Sequence, residues 1–270
     1  MSIILLGLSV IIFITSTLCA HFNGVNSKIE YARQEKLGSL FYENQKKEGR
    51  LTDYGNKLTN LNPNFPCVRG VVPIGLNTNE SIDDGHKFGC GISHISSSPI
   101  VYSFGSRNQI DFEVAFLKLR KDSKIFSFEI DGNFVPKIPP DYNQSIFAHH
   151  IGLSYHSKDD HLMTLTDIMK KFNHKYIDVL KMDIESTEWQ FIQREAVLLR
   201  NVGQFLVELH VPQSAQHSLQ FLEAIETQGM GLFFKELNYH NHLDYTELSF
   251  IQSDWGNWDE NKKNLQLPDV

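Results

Sequence analysis

The chain has 270 residues, 41% of them hydrophobic and 21% charged, the make-up of a globular protein with enough apolar matter for a sizeable core. Length alone allows one large domain or two small ones. Against 25 Lys and Arg stand 32 Asp and Glu, a formal net charge of −7 with no basic block, which excludes nonspecific attraction to nucleic acid or to acidic membranes.

The first residues, MSIILLGLSVIIFITSTLCA, are apolar from Ile3 to about Ile14, carry no charged side chain and end in small residues. The pattern predicts a segment over 1–20 that is either a secretory signal peptide, with Ala20 at the cleavage position, or a signal anchor just long enough to span a bilayer. Lys28, Arg33 and Lys36 lie on its far side, which opposes a cytoplasmic N-terminus and favours cleavage. On both readings the body is expected in the secretory lumen or outside the cell, secreted or held by a single type II membrane anchor. Cys19 falls in this segment, so Cys67 and Cys90 remain as an even pair, expected to form a disulfide in an oxidising compartment. The sequons Asn79-Glu80-Ser81 and Asn143-Gln144-Ser145 fall in polar, turn-rich stretches suited to glycans.

Residues 21–65 are polar, with helix-like SKIEYARQEKLGSLFYENQKK followed by Asn-, Gly- and Pro-rich sequence, and are expected to form a stem. From about residue 99, short apolar runs alternate with helical patterns, the signature of a parallel sheet covered by helices. Pro99–Phe104 reads as a strand stopped by Gly105, followed by a helix capped by Asp111 with Phe112, Ala115, Phe116 and Leu119 inward. Ile125–Phe128 is a second strand ending at Glu129, and Ser145–Ala148 a weaker third. Thr164 and Asp167 have capping-box spacing and open a helix with Leu165, Ile168, Met169 and Phe172 on one face.

The stretch DVLKMDIESTEW at 178–189 is the fourth strand, followed by a helix with Trp189, Ile192, Ala196 and Leu199 on one stripe. Gln204–His210 is a fifth strand ended by Pro212, and a helix over about 216–228 stops at Gly229. Gly231–Leu237 and Tyr245–Gln252 read as an antiparallel edge hairpin, leaving 253–270 as a polar tail. The order describes a doubly wound α/β domain over 66–252. In such sheets ligands bind beyond the carboxyl ends of the strands, where the strand order reverses.

Three strand ends carry chemistry. Gly105 follows the first strand and would let the backbone approach a ligand, while the absence of G-x-G-x-x-G argues against a nicotinamide oxidoreductase. Glu129 ends the second strand, where a carboxylate can accept hydrogen bonds from a ribose diol. On the fourth and fifth strands Asp183 with Glu185, and Glu208 with His210, point to one face each because side chains alternate along a strand. Four ionisable groups at adjacent strand ends are costly to hold together unless they bind something, the alternative being a structural ion network. His210, with an unperturbed pKa near neutrality, is the first choice for a general base and Asp183 the second. No metal is assigned: Cys67 and Cys90 lack C-x-x-C spacing, and a divalent-metal variant on Asp183, Glu185 and Glu208 stays open without motif spacing to support it.

The succession YSFG, FE, IGLS, DVLKMDIESTEW, LVELH and ELSFI resembles the FkbM-related branch of methyltransferase-like proteins, and within it the animal secretory-pathway members. The resemblance covers roughly residues 66–252, with YSFG and LKMDIESTEW its most specific parts. It implies a Rossmann-like class I methyltransferase sheet, mostly parallel with an antiparallel edge hairpin, and S-adenosylmethionine as cofactor. By the same resemblance the turn Ser103, Gly105 and Ser106 meets the methionine part and Glu129 the adenosine ribose. Asp183 faces the methionine ammonium or the acceptor, and Glu185, Glu208 and His210 occupy the family's acidic and histidine positions. The chain departs from the family in two places. Ser106, Arg107 and Asn108 stand where the first loop has further glycines, and Ser186 stands where glycine follows D-x-E. The implied activity is methyl transfer to an acceptor that is a carbohydrate, a protein or a small molecule. The alternative is a secreted binding protein that kept the fold and lost the chemistry.

Overall fold

The computed structural model describes residues 61–75, 86–95, 98–210, 215–237 and 245–268. The apolar leader, the stem up to residue 60, the Asn79 sequon and Pro212 lie outside the described residues. Asn143 is exposed in a turn, as its sequon requires.

Apolar runs rich in β-branched and aromatic residues form the central strands. They are β3 (Ile100–Phe104), β4 (Lys124–Glu129), β5 (Ile146–His150), β8 (Ile177–Met182), β9 (Val202–Leu209), β10 (Met230–Leu237) and β11 (Thr246–Gln252). They make one 7-stranded sheet in the order β10-β11-β9-β8-β3-β4-β5. The ladders from β5 to β9 are parallel, and β11 runs antiparallel to β9 and β10. This is the mostly parallel class I sheet with an antiparallel edge hairpin that the chain predicts. Every residue of β8 and β9 is buried, because both faces of a parallel sheet are covered. The chain builds outward from β3 to β5, then returns to β8 on the other side of β3. The β3–β8 seam is therefore the topological switch point.

The covering helices are α1 (Asp111–Leu119), α2 (Leu165–Lys171), α3 (Thr187–Glu195) and α4 (Ala215–Thr227). Thr164 caps α2 as expected, its Oγ1 accepting from Asp167 N at 3.1 Å. Asp111 is instead the first helical residue of α1 and caps nothing. The buried face of α1 is Phe112, Glu113, Phe116 and Leu117, with Leu119 exposed. Between β4 and β5 the chain makes two 3-10 turns in place of a helix, in a stretch holding Pro136, Pro139 and Pro140. Two-residue strands β6 (Gly152–Leu153) and β7 (Leu162–Met163) pair in parallel ahead of α2.

Two features lie outside what periodicity shows. An antiparallel pair, β1 (Val71–Ile74) and β2 (Lys87–Cys90), precedes the sheet, and Cys67 and Cys90 form the expected disulfide, Cα–Cα 5.8 Å. The Gln204 side chain of β9 anchors β2, donating to Cys90 O at 2.6 Å and accepting from Cys90 N at 2.8 Å. At the other end, the stretch read as a polar tail packs on the domain. It carries α5 (Trp258–Asn261) between two 3-10 turns and buries Trp255 and Trp258. Among the described residues no helix is long and apolar enough to cross a membrane.

Candidate active site

The turn after β3 crosses the end of β8 at the switch point. Gly105 adopts φ +81, and a Cβ there would fall 1.6 Å from the Asp183 carbonyl oxygen, so no side chain fits. Glycine was expected to admit a ligand; it admits the chain's own β8 backbone. Gly105 N donates to Phe128 O at 3.0 Å and Asp183 N to Phe104 O at 3.2 Å, tying the three strand ends together. Lys181, nearly buried, donates Nζ to the carbonyls of Phe104 and Gly105 at 3.3 and 3.0 Å.

The loop continues through Arg107 and Asn108 with φ of 44 and 62, both left-handed. That path aims the Arg107 amide at Glu129 Oε2, 2.8 Å away, while Asp131 N donates to Oε1 at 3.0 Å. The Glu129 carboxylate is thus fixed by two backbone amides, and each oxygen keeps acceptor capacity for a further hydroxyl. Beyond β8, Glu185 and Ser186 are also left-handed, φ 53 and 82. The two places where the chain departs from glycine keep the backbone that glycine serves, at about 1 kcal/mol or more each.

The second half of the site lies at the ends of β8, β9 and β11. Asp183 Oδ1 is 3.7 Å from His210 Nε2, and Asp183 Oδ2 is 3.6 Å from Lys87 Nζ and 3.9 Å from Lys181 Nζ. Glu185 Oε2 lies 3.6 Å from His210 Nε2 on the exposed side. The other ring nitrogen, Nδ1, meets Glu188 Oε1 at 2.7 Å, and Glu188 also accepts from Ile184 N. Trp189 Nε1 donates to His210 O at 2.8 Å, so α3 holds both the ring and the backbone of His210. Lys87 pairs with Glu247 Oε1 at 2.6 Å, and Glu247 stands directly across from Glu208 in the β9–β11 ladder.

Burial alone would raise the Asp183 carboxyl, but Lys87, Lys181 and His210 outweigh it and hold it at about 2. Burial alone would lower His210, but its hydrogen bond to Glu188 and the charges of Glu188, Glu208 and Asp183 push it up to about 9. His210 therefore carries its second proton at neutral pH. The expectation of a neutral-pH general base at His210 is corrected by the buried Glu188 beside it. Burial also pushes the Glu247 carboxyl well up, with Lys87 opposing.

A family model described as a methyltransferase domain matches residues 25–252, well over half of the chain. The chain belongs to this methyltransferase family. The match begins inside the stretch read as a stem and ends with β11. No curated protein matches. Among solved structures, fibrillarin from Aeropyrum pernix, crystallised with natively bound S-adenosyl-L-methionine, is 9% identical with a TM-score of 0.38. That likeness covers 58% of this chain and 68% of that one. The METTL16 methyltransferase domain is 13% identical, covers 60% of this chain and 62% of that one, and scores 0.42. Precorrin-6y C5,15-methyltransferase from Geobacter metallireducens is 9% identical, covers 60% and 84%, and scores 0.36. Scores this low bear on neither the function nor the site of this chain.

The cofactor of the methyltransferase is S-adenosylmethionine, and the residues fit it. Glu129 presents an oriented carboxylate for a ribose diol. Ser106 Oγ, buried in the same loop, meets no hydrogen-bond partner and is placed to meet a polar group of a ligand. Ser103, in β3, is fully buried, and its Oγ likewise meets no hydrogen-bond partner. Asp183 Oδ2 already faces two ammonium groups, which favours the acceptor side over the methionine ammonium for this residue. The structure thus brings Asp183, Glu185, Glu208 and His210 together, and sets Glu129 and Ser106 on the other side of the switch point.

Four charged members were missed. Glu188 stands in the same DVLKMDIESTEW stretch, where its place in the first turn of α3 was the available signal. Lys181 sits two residues before Asp183, on the same strand face. Lys87 and Glu247 arrive from β2 and β11, and nothing local to their sequence marks them.

Proposed function

We propose that this chain is an S-adenosylmethionine-dependent methyltransferase of the secretory pathway, in the FkbM-related branch, acting on an oxygen or nitrogen of its acceptor. The observation that carries the reading is the division of the strand ends at the switch point. A carboxylate pre-oriented for a ribose stands on β4, and a charged acceptor wall stands on β8 and β9. YSFG, LKMDIESTEW and ELH support the branch, and the apolar leader with the Cys67–Cys90 disulfide supports the compartment.

The cofactor supplies a methyl group on a positively charged sulfur, so the protein's share is alignment and exclusion of water. Glu129 and the loop 105–108 hold the cofactor side. His210, locked by Glu188 and Trp189, turns Nε2 toward Asp183 and Glu185 and there orients the acceptor. Transfer of labelled methyl from S-adenosylmethionine to glycan, protein and small-molecule fractions of secretory lumen tests this. One fraction should become labelled, and His210→Ala should keep cofactor affinity while lowering kcat at least tenfold. Cofactor binding with no labelled fraction would favour a binding protein that lost its chemistry. Mass spectrometry of the mature N-terminus tests the compartment: a start at His21 marks signal cleavage.

A further inference from the structure

The acceptor wall holds more negative charge than its cations balance. Asp183, Glu185, Glu188, Glu208 and Glu247 converge there, five carboxyls against three cations, the ammonium groups of Lys87 and Lys181 and the His210 imidazolium, whose Nε2 proton a bound metal ion would displace. Both lysines stand on the Oδ2 side of Asp183, whereas Oδ1 faces His210. One ligand atom from each of Asp183, Glu208 and His210 lies within 4.8 Å of the others.

We infer that Asp183, Glu208 and His210 bind one divalent first-row transition cation, which in turn takes the nucleophilic oxygen of the methyl acceptor. The inference rests on the acceptor-wall reading above. Two donors about 2.1 Å from a shared ion lie about 3–3.5 Å apart at tetrahedral to octahedral angles, so the 3.7 Å between Asp183 Oδ1 and His210 Nε2 needs only small closure. Two carboxylates and one imidazole suit manganese or zinc, and three protein ligands leave positions open for an exogenous oxygen.

The surroundings match such a centre. A histidine that ligates through one ring nitrogen is held through the other by a carboxylate, and Glu188 holds His210 Nδ1 in that manner at 2.7 Å. Two further carboxylate oxygens, Glu188 Oε2 and Glu247 Oε2, are buried without a hydrogen-bond partner. Glu247 lies on the same side of the sheet as Glu208, directly opposite it. Each of these carboxyls meets a cation through its Oε1, Glu188 at His210 and Glu247 at Lys87, and its Oε2 keeps acceptor capacity toward a further positive group. In the transfer, a metal-held acceptor hydroxyl loses its proton to solvent and its oxygen bonds the methyl carbon. The carbon–sulfur bond breaks, and its electron pair stays on the sulfur as a neutral thioether.

The test is titration of the full-length chain with Mn²⁺, followed by electron paramagnetic resonance, with S-adenosylmethionine titrated separately by calorimetry. One Mn²⁺ per chain is expected, with nitrogen coupling from an imidazole in the wild-type spectrum. Glu208→Gln and His210→Ala should each weaken Mn²⁺ at least tenfold. No binding at millimolar Mn²⁺, or bound Mn²⁺ without nitrogen coupling, overturns the site without using a variant. Cofactor binding without Mn²⁺ binding sinks the metal site and leaves the methyltransferase reading; the reverse outcome sinks that reading and leaves the metal site.

Discussion

Ser186 holds φ 82 and ψ −1 between the acidic end of β8 and the first turn of α3, a conformation that costs an L side chain about 1–2 kcal/mol. Ser186→Gly should therefore raise the urea midpoint by the equivalent of about 1 kcal/mol, less what glycine gains in the unfolded chain. A lower midpoint would mean that the serine side chain holds the turn. His210 gives a second residue-level expectation. Its folded pKa is raised from 6.5 to about 9, so in the metal-free protein its stabilising contribution is complete below pH 6.5 and is lost as pH climbs through about 9. An NMR titration of the imidazole should show a midpoint near the upper value; one near 6.5 would break the assigned pairing with Glu188. At this scale Glu208 and His210 were legible because side chains alternate at the end of β9, whereas Asp183 and Glu185 lie beyond β8, where the left-handed turn at Glu185 rather than alternation brings its carboxylate to His210. Lys87 and Glu247 were not, because only tertiary pairing brings them there.

Among the elements, the strands of the sheet read clearly because a run buried on both faces is continuously apolar, as in β8 and β9. The short β2 does not read so. KFGC is buried throughout, yet it alternates nothing and owes its burial to docking on β9 through Gln204. That docking carries Lys87 into the site, and the Cys67–Cys90 bond keeps it there. Replacing both cysteines by serine should cost about 3 kcal/mol, by the loop-closure estimate for a short loop. Thermal melting with and without reductant checks it: the wild type should drop toward the variant, and an unchanged midpoint would detach the hairpin from the stability of the sheet. The segment between β4 and β5 carries no apolar helical period, and its prolines leave only 3-10 turns there.

For the whole molecule, the C-terminal stretch closes the end of the sheet opposite the site. Asp178, fully buried in β8, accepts from Lys262 Nζ at 2.6 Å, Trp258 Nε1 at 2.8 Å and Ile100 N at 2.8 Å. Composition alone marked residues 253–270 as polar; the anchoring lies in Trp258 and Lys262, both bonded to Asp178 about 80 residues away. Removing Lys262 strands a buried carboxylate, so Lys262→Ala should destabilise by about 3–5 kcal/mol. Denaturant unfolding measures it, and a loss below 1 kcal/mol would show the clamp to be incidental.

On the proposed function the β3, β4 and β8 strand ends hold the cofactor, with Glu129 as its ribose anchor. Calorimetric titration of the full-length chain with S-adenosylmethionine and S-adenosylhomocysteine tests it most directly. Binding is expected for both, weakened at least tenfold by Glu129→Ala and spared by His210→Ala. No heat of binding at millimolar ligand, or equal losses in the two variants, would contradict it.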